Sequence, residues 1–208
     1  MRKFLFIFSI CIISISIFIS GCSNDSDSRS SDDSQDETVS VLEGSWASTY
    51  HENDNSEIER EIWTFEGDTI TYVETRYENT GQPTTASDAF LALTSTYSFT
   101  IGSPVGDENA TEINYTVESI TATPLTQDFA DTLNTMAMGG ISDWVVNEPR
   151  SIAGLNCNGE LYHNTGYTYY NIFKINGNEL YFGDENTGDE TSEDNRPTDL
   201  DSVVYSKL

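Results

Sequence analysis

Two histidines, three cysteines and 35 acidic residues are the groups in this 208-residue chain best suited to do chemistry. His51 and His163 stand far apart, in no zinc-protease spacing, and Cys157 is the only cysteine after residue 40, so no cysteine cluster could hold a structural zinc. The ingredients of a Ser/His/Asp triad are scattered along the chain, but no Gly-x-Ser-x-Gly elbow marks a nucleophile. Residues 41–208 carry 29 acids, so carboxylate pairs occur everywhere and none stands out. The densest acidic stretch, Asp184 to Asp201, spaces Asp184, Asn186 and Asp189 as oxygen donors around Gly188. It fails the pattern of a helix-loop-helix calcium loop at the fifth and sixth positions, and reads as a solvated loop. The expectation is a non-enzyme with no catalytic residue, no metal and no cofactor.

Charge narrows the partners. Nine Lys plus Arg against 35 Asp plus Glu give a net charge of -26, which leaves no basic stripe for phosphate and excludes a nucleic-acid grip. Hydrophobic residues at 37% and aromatics at 12% are too many for a wholly disordered acidic chain. Residues 41–208 suffice for one domain burying roughly 70% of its unfolded surface.

The elements of that domain are mainly strands. Tyr97 to Ile101 and Ile113 to Val117 alternate with period two, as a sheet with one buried face requires. Ile62 to Phe65 and Thr69 to Tyr77 flank Glu66-Gly67-Asp68, and Tyr169 to Ile175 and Glu179 to Phe182 flank Asn176-Gly177-Asn178. Both read as hairpins, the second with an Asn-Gly pair able to take positive φ at both positions. Val203 to Leu208 looks like a closing strand. Leu125, Phe129, Leu133 and Met136 form a helical stripe between Pro124 and Gly139-Gly140, predicting one short helix from about Thr126 to Met138 that packs as core or, alternatively, covers a ligand mouth.

The N-terminus carries an address. Arg2 and Lys3 precede an uncharged run from Phe4 to Ile19, too short for a membrane-spanning helix at ~20 residues and laid out as a signal peptide. It ends in Ile19-Ser20-Gly21-Cys22, which resembles the lipobox of bacterial lipoproteins. The resemblance implies cleavage of residues 1–21, a diacylglycerol thioether on Cys22 and acylation (palmitate or a similar chain) of the new amino terminus. Ser23 after the Cys implies the outer membrane in a Gram-negative envelope. Two or three chains at ~0.8 kcal/mol per buried methylene would make a firm anchor. Residues 22–40 are then the lipidated Cys and a disordered acidic tether, since the stretch is dominated by Ser and Asp with Val39 its only aliphatic residue.

The domain opens Val41-Leu42-Glu43-Gly44-Ser45-Trp46, and this Gly-x-Trp at the first strand, followed by a run of strands, is similar to lipocalin-like bacterial lipoproteins. The resemblance implies a mainly β, antiparallel up-and-down barrel over 41–208, with Gly44 and Trp46 closing one end and an Arg packed on the Trp, for which Arg196 is the candidate although it lies early. It also implies a small apolar ligand inside, against residues such as Phe99, Tyr115 and Phe173. Two other expectations stand beside that one. The first is a structural or protein-interaction envelope domain with a filled core. The other, a hydrolase, needs a cleft with His51 or His163 bonded to a Ser or carboxylate. Cys157 is expected to be buried and unpaired.

Overall fold

A computed structural model describes residues 41–53, 57–78, 85–106 and 109–208; the expected signal segment 1–21, Cys22 and the expected tether lie outside the described residues. Among the described residues twelve strands run in chain order: β1 (Gly44–Ser48), β2 (His51–Glu52), β3 (Ile58–Glu66), β4 (Thr69–Tyr77), β5 (Ala89–Val105), β6 (Ala110–Pro124), β7 (Arg150–Ser151), β8 (Asn156–Cys157), β9 (Glu160–Leu161), β10 (Thr168–Asn176), β11 (Glu179–Phe182) and β12 (Tyr205–Lys207). Eight of them, β1, β3, β4, β5, β6, β10, β11 and β12, each pair antiparallel with the next, and β12 and β3 both pair with β1. The sheet therefore closes on itself as an antiparallel up-and-down barrel, which removes free edges. The short β2 extends β3 at the rim, and β7 adds to β6.

Alternation explains which side chains fill the interior. On β5, Leu91, Leu93, Ser95, Tyr97, Phe99 and Ile101 are buried, while the residues between them include Thr94, Thr96, Ser98 and Thr100. An outer face rich in hydroxyls is the reverse of the apolar band of a membrane-spanning barrel. Among the described residues no helix is long and apolar enough to cross a membrane.

Both tight hairpins use the same device, and it differs from the expected one. The central residues are Gly67-Asp68 and Gly177-Asn178, with only the glycine at positive φ (+60° and +64°). That is the demand of a type II′ turn, with Gly first, not of the Asn-Gly turn with two positive φ values.

The helix α1 (Gln127–Met136) starts at Thr126, whose hydroxyl accepts from the Phe129 amide at 3.2 Å, and stops at Ala137 in the left-handed conformation. Leu133 and Ala130 are buried, and Phe129 packs on Phe90 of β5 with ring centres 4.7 Å apart. Met136, assigned to the stripe, is instead half-exposed at 51% because the helix ends there.

One end of the barrel is closed by hydrocarbon and aromatic rings. Trp46 and Leu42 are almost fully buried, and the Trp46 Nε1–H donates to the Leu42 carbonyl at 2.7 Å. Gly44 has φ +105°. The cation over the Trp46 ring is Lys207 of β12, its Nζ 4.9 Å from the ring centre. Arg196 is elsewhere: its guanidinium donates to the Ile113 and Asn171 carbonyls and Asn114 Oδ1 and lies over Tyr170. It pins residues 184–201 to the outside of β6 and β10.

Candidate functional site

The other end is polar, and the register of β3 against β4 shows how it comes about. From the closed end outward the facing pairs are Phe65 with Ile70, Trp63 with Tyr72, Glu61 with Glu74 and Glu59 with Arg76. All eight lie in one phase of the alternation, so carboxylates continue the line of the core aromatics. Glu61 and Glu74 face each other directly, a like-charge pair in a sheet position where unlike charges or apolar groups are favoured. A cavity of about 560 Å³ occupies this half, and eight carboxylates line it against one arginine and one histidine.

Each buried acid has its own partners. Glu74 accepts from Arg76 Nε, and Arg76 also reaches Glu57 at 3.4 Å. Burial pushes the Glu74 carboxyl up despite that arginine. Glu61 is raised by burial as well, although the Tyr205 hydroxyl donates to its Oε2. His51 sits opposite Glu59 in the β2–β3 register, with Nε2 3.2 Å from Glu59 Oε1 and 3.9 Å from Glu61 Oε1. The Glu59 hydrogen bond lifts the imidazole to about 9 against the opposing effect of burial. Burial works to raise Glu59, but hydrogen bonds from His51 and Asn53 outweigh it and leave the carboxyl below its usual range.

Deeper on the opposite wall, Glu190 enters from the 184–201 segment. Only 5% exposed, it accepts from the Tyr115 hydroxyl at 2.9 Å and from Asn171 Nδ2, and burial pushes it up to about 7. The reading of this segment as a merely solvated loop is thus corrected. Asp184 and Asp189 each accept two bonds within the segment, from Asn186 and Thr191, and a bridge joins Gly183 to Leu200. The segment folds over the barrel side and delivers a carboxyl into the interior.

Of the ligand-lining residues expected from sequence, Tyr115 is on the cavity wall, while Phe99 and Phe173 are buried outside that lining. Phe99 stacks edge-on against Phe65 at 5.6 Å, and Phe173 faces Phe182 across β10–β11. Trp46 and Gly44 are not on the cavity wall, although Trp46 pairs across β1–β3 with Trp63, which is. His163 is also off it, stacked flat on Tyr167 at 3.6 Å. Cys157 is unpaired and half-buried, its thiol pushed up by burial and by Glu160, so it stays protonated.

Sequence reasoning missed Glu59, Glu61, Glu74, Arg76, Tyr205 and Glu190. For the first four a signal existed: Glu59-x-Glu61-x-Trp63-x-Phe65 and Ile70-x-Tyr72-x-Glu74-x-Arg76 put charges in phase with buried aromatics. Nothing local announced Glu190 or Tyr205. No protein-family profile matches the chain, and no curated protein matches it at a significant level.

Proposed function

We propose that the chain is a cell-envelope lipoprotein, anchored in the outer membrane through acyl chains on Cys22, whose barrel binds a small cationic molecule in the acidic half of its interior. The observation that carries this reading is the cavity of about 560 Å³ in which eight carboxylates face one arginine and one histidine. Burying like charges together costs folding free energy, and a cationic ligand offsets that cost on binding. The aromatic floor of Trp63, Tyr72 and Tyr205 suits the same ligand, since ring faces attract cations. A purely apolar ligand, which the lipocalin-like resemblance implies, would take water from Glu61, Glu74 and Glu190 and supply no charge to offset the loss.

The reading is of a binding site because the side chains that converge on the cavity are mainly carboxylates matched in charge to a cation, and His51 meets one of them there. Support for the anchor comes from the Ile19-Ser20-Gly21-Cys22 sequence.

Two measurements test the reading. Labelling cells with radioactive palmitate is expected to mark the full chain and to leave Cys22→Ser unlabelled. Calorimetric titration of the detergent-solubilised full chain with a panel of small organic amines is expected to find a saturable binder that Glu74→Gln weakens at least tenfold. An unlabelled wild type removes the anchor, and no amine binding up to millimolar concentration removes the organic-cation ligand.

A further inference from the structure

We infer that His51, Glu59 and Glu61 bind a first-row divalent transition-metal ion, of which Zn²⁺ is the reference case, at the rim of the barrel. The inference deepens the cation-binding reading above and rests on it for the accessibility of the cavity.

Geometry assembles the donor set. Glu59 and Glu61 are alternate residues of β3, so both carboxylates point to the barrel interior, and His51 stands directly across from Glu59 on β2. His51 Nε2 and one oxygen from each carboxylate all lie within 4.8 Å of one another. Tetrahedral Zn²⁺ with bonds of about 2.0–2.1 Å holds its ligand atoms about 3.3 Å apart. The Nε2 to Glu59 Oε1 separation of 3.2 Å is already at that spacing, and Glu61 Oε1 at 3.9 Å needs only a small side-chain adjustment.

The outer contacts orient each donor as a metal site needs. His51 Nδ1 lies 3.1 Å from the Thr49 carbonyl, which can only accept, so Nδ1 carries the proton and Nε2 is the atom presented to the carboxylates. Glu59 Oε2 accepts from Asn53 Nδ2 at 2.8 Å, and Glu61 Oε2 accepts from the Tyr205 hydroxyl. In each carboxylate one oxygen is thereby fixed by the protein and the other is turned toward His51. A ligand histidine whose second nitrogen donates to a backbone carbonyl, beside ligand carboxylates that are themselves hydrogen-bonded, is the usual support of a bound metal. Three converging electron-pair donors need a positive centre between them, either a proton on Nε2 or a metal ion. Side-chain exposures of 25%, 11% and 14% leave the site reachable from the rim.

One nitrogen with two carboxylate oxygens suits Zn²⁺, Co²⁺, Ni²⁺, Cu²⁺ or Mn²⁺, whereas Ca²⁺ and Mg²⁺ seek oxygen shells. Three protein ligands leave a fourth position open toward the cavity, the arrangement of metal sites that accept water or an exogenous ligand.

The test is titration of the full chain, stripped with EDTA and dialysed, with ZnCl₂ by calorimetry and CoCl₂ by visible absorption. One equivalent bound with a micromolar or tighter Kd is expected, with Co²⁺ bands of a four-coordinate nitrogen–oxygen site. His51→Ala should lower affinity at least 100-fold, and Zn²⁺ should raise the Tm of wild type but not of this variant. Tyr205→Phe keeps all three ligands and removes only the hydroxyl on Glu61, so an affinity loss of about tenfold is expected, within the range for outer-shell partners. Absence of saturable one-to-one binding of Zn²⁺ and Co²⁺, or binding undiminished in a folded His51→Ala, overturns the metal site in favour of a protonated His51 ion pair. Retained amine binding that depends on Glu74, alongside no metal binding, would overturn this inference while leaving the cation cavity standing.

Discussion

At one end of β3 and β4 the facing side chains are Phe65 and Ile70, both buried; three pairs further along the same two strands, about 20 Å away, they are Glu59 and Arg76. The closed end gains free energy wherever a side chain leaves water, roughly 1.5–3 kcal/mol for each large apolar group. At the acidic end burial works the other way, since Glu61, Glu74 and Glu190 are all pushed toward their neutral forms by it. The difference teaches where stability and function reside in one continuous sheet: the strands are held at the rings, and the acids are carried into the barrel by that scaffold.

The largest expected effect breaks the closed end. Trp46→Ala removes a nearly fully buried indole and its bond to Leu42, and should cost about 4 kcal/mol, on the order of 10 °C in Tm by thermal unfolding. If Trp46→Ala were harmless, the closed end would not be the anchor of the fold.

The second sharpens the acidic end through pH. Folded Glu190 titrates at about 7, pushed up by burial, against about 4.5 when unfolded. Between those values the folded state keeps a proton that the unfolded chain has released, so its stabilisation is fully present below about pH 4.5 and is lost as pH rises through 7. About 3 kcal/mol should disappear across that window in denaturant titrations, and Glu190→Gln should flatten the profile.

A third effect separates the two partners of a buried pair. Arg76→Met leaves Glu74 without its cation and should destabilise by about 2 kcal/mol, while Arg76→Met with Glu74→Met should recover most of that loss in a double-mutant cycle. The smallest concerns the cation over Trp46. Lys207→Met removes the ammonium over Trp46 but keeps the packing of its stem, so a cost of about 0.5–1 kcal/mol is expected at this exposed site.

Much of the scaffold was legible because its cues are local. Thr69–Tyr77 and Glu179–Phe182 could be read to the residue, since alternation and a central glycine are properties of neighbours along the chain. The first half of β5 was not, because Phe90 on its outer face is covered by Phe129 of α1, so apolar residues fall on both faces and the period-two signal fades. Arg196 was taken for the cation that packs on Trp46; the ring is met instead by Lys207, which the β1–β12 register puts opposite it. The β3 and β4 carboxylates of the site were visible as letters but did not stand out among 29 acids, and Glu190 was read as part of a solvated loop. Only their phase with Trp63 and Tyr72 betrayed them.

The sequence by itself determined the strand-rich character, the positions of the hairpin turns, the single short helix and the acidic balance, all of which depend on composition or on residues close together in the chain. The tertiary structure alone decided that the barrel has an apolar end and an acidic end. His51 meets Glu59 only through the β2–β3 register, Tyr205 meets Glu61 across 144 positions, and Glu190 reaches Tyr115 across 75. Contacts at such separations are set by how the sheet closes, because a one-residue change of register would turn Glu59, Glu61, Tyr115 and Tyr205 to the opposite face of their strands.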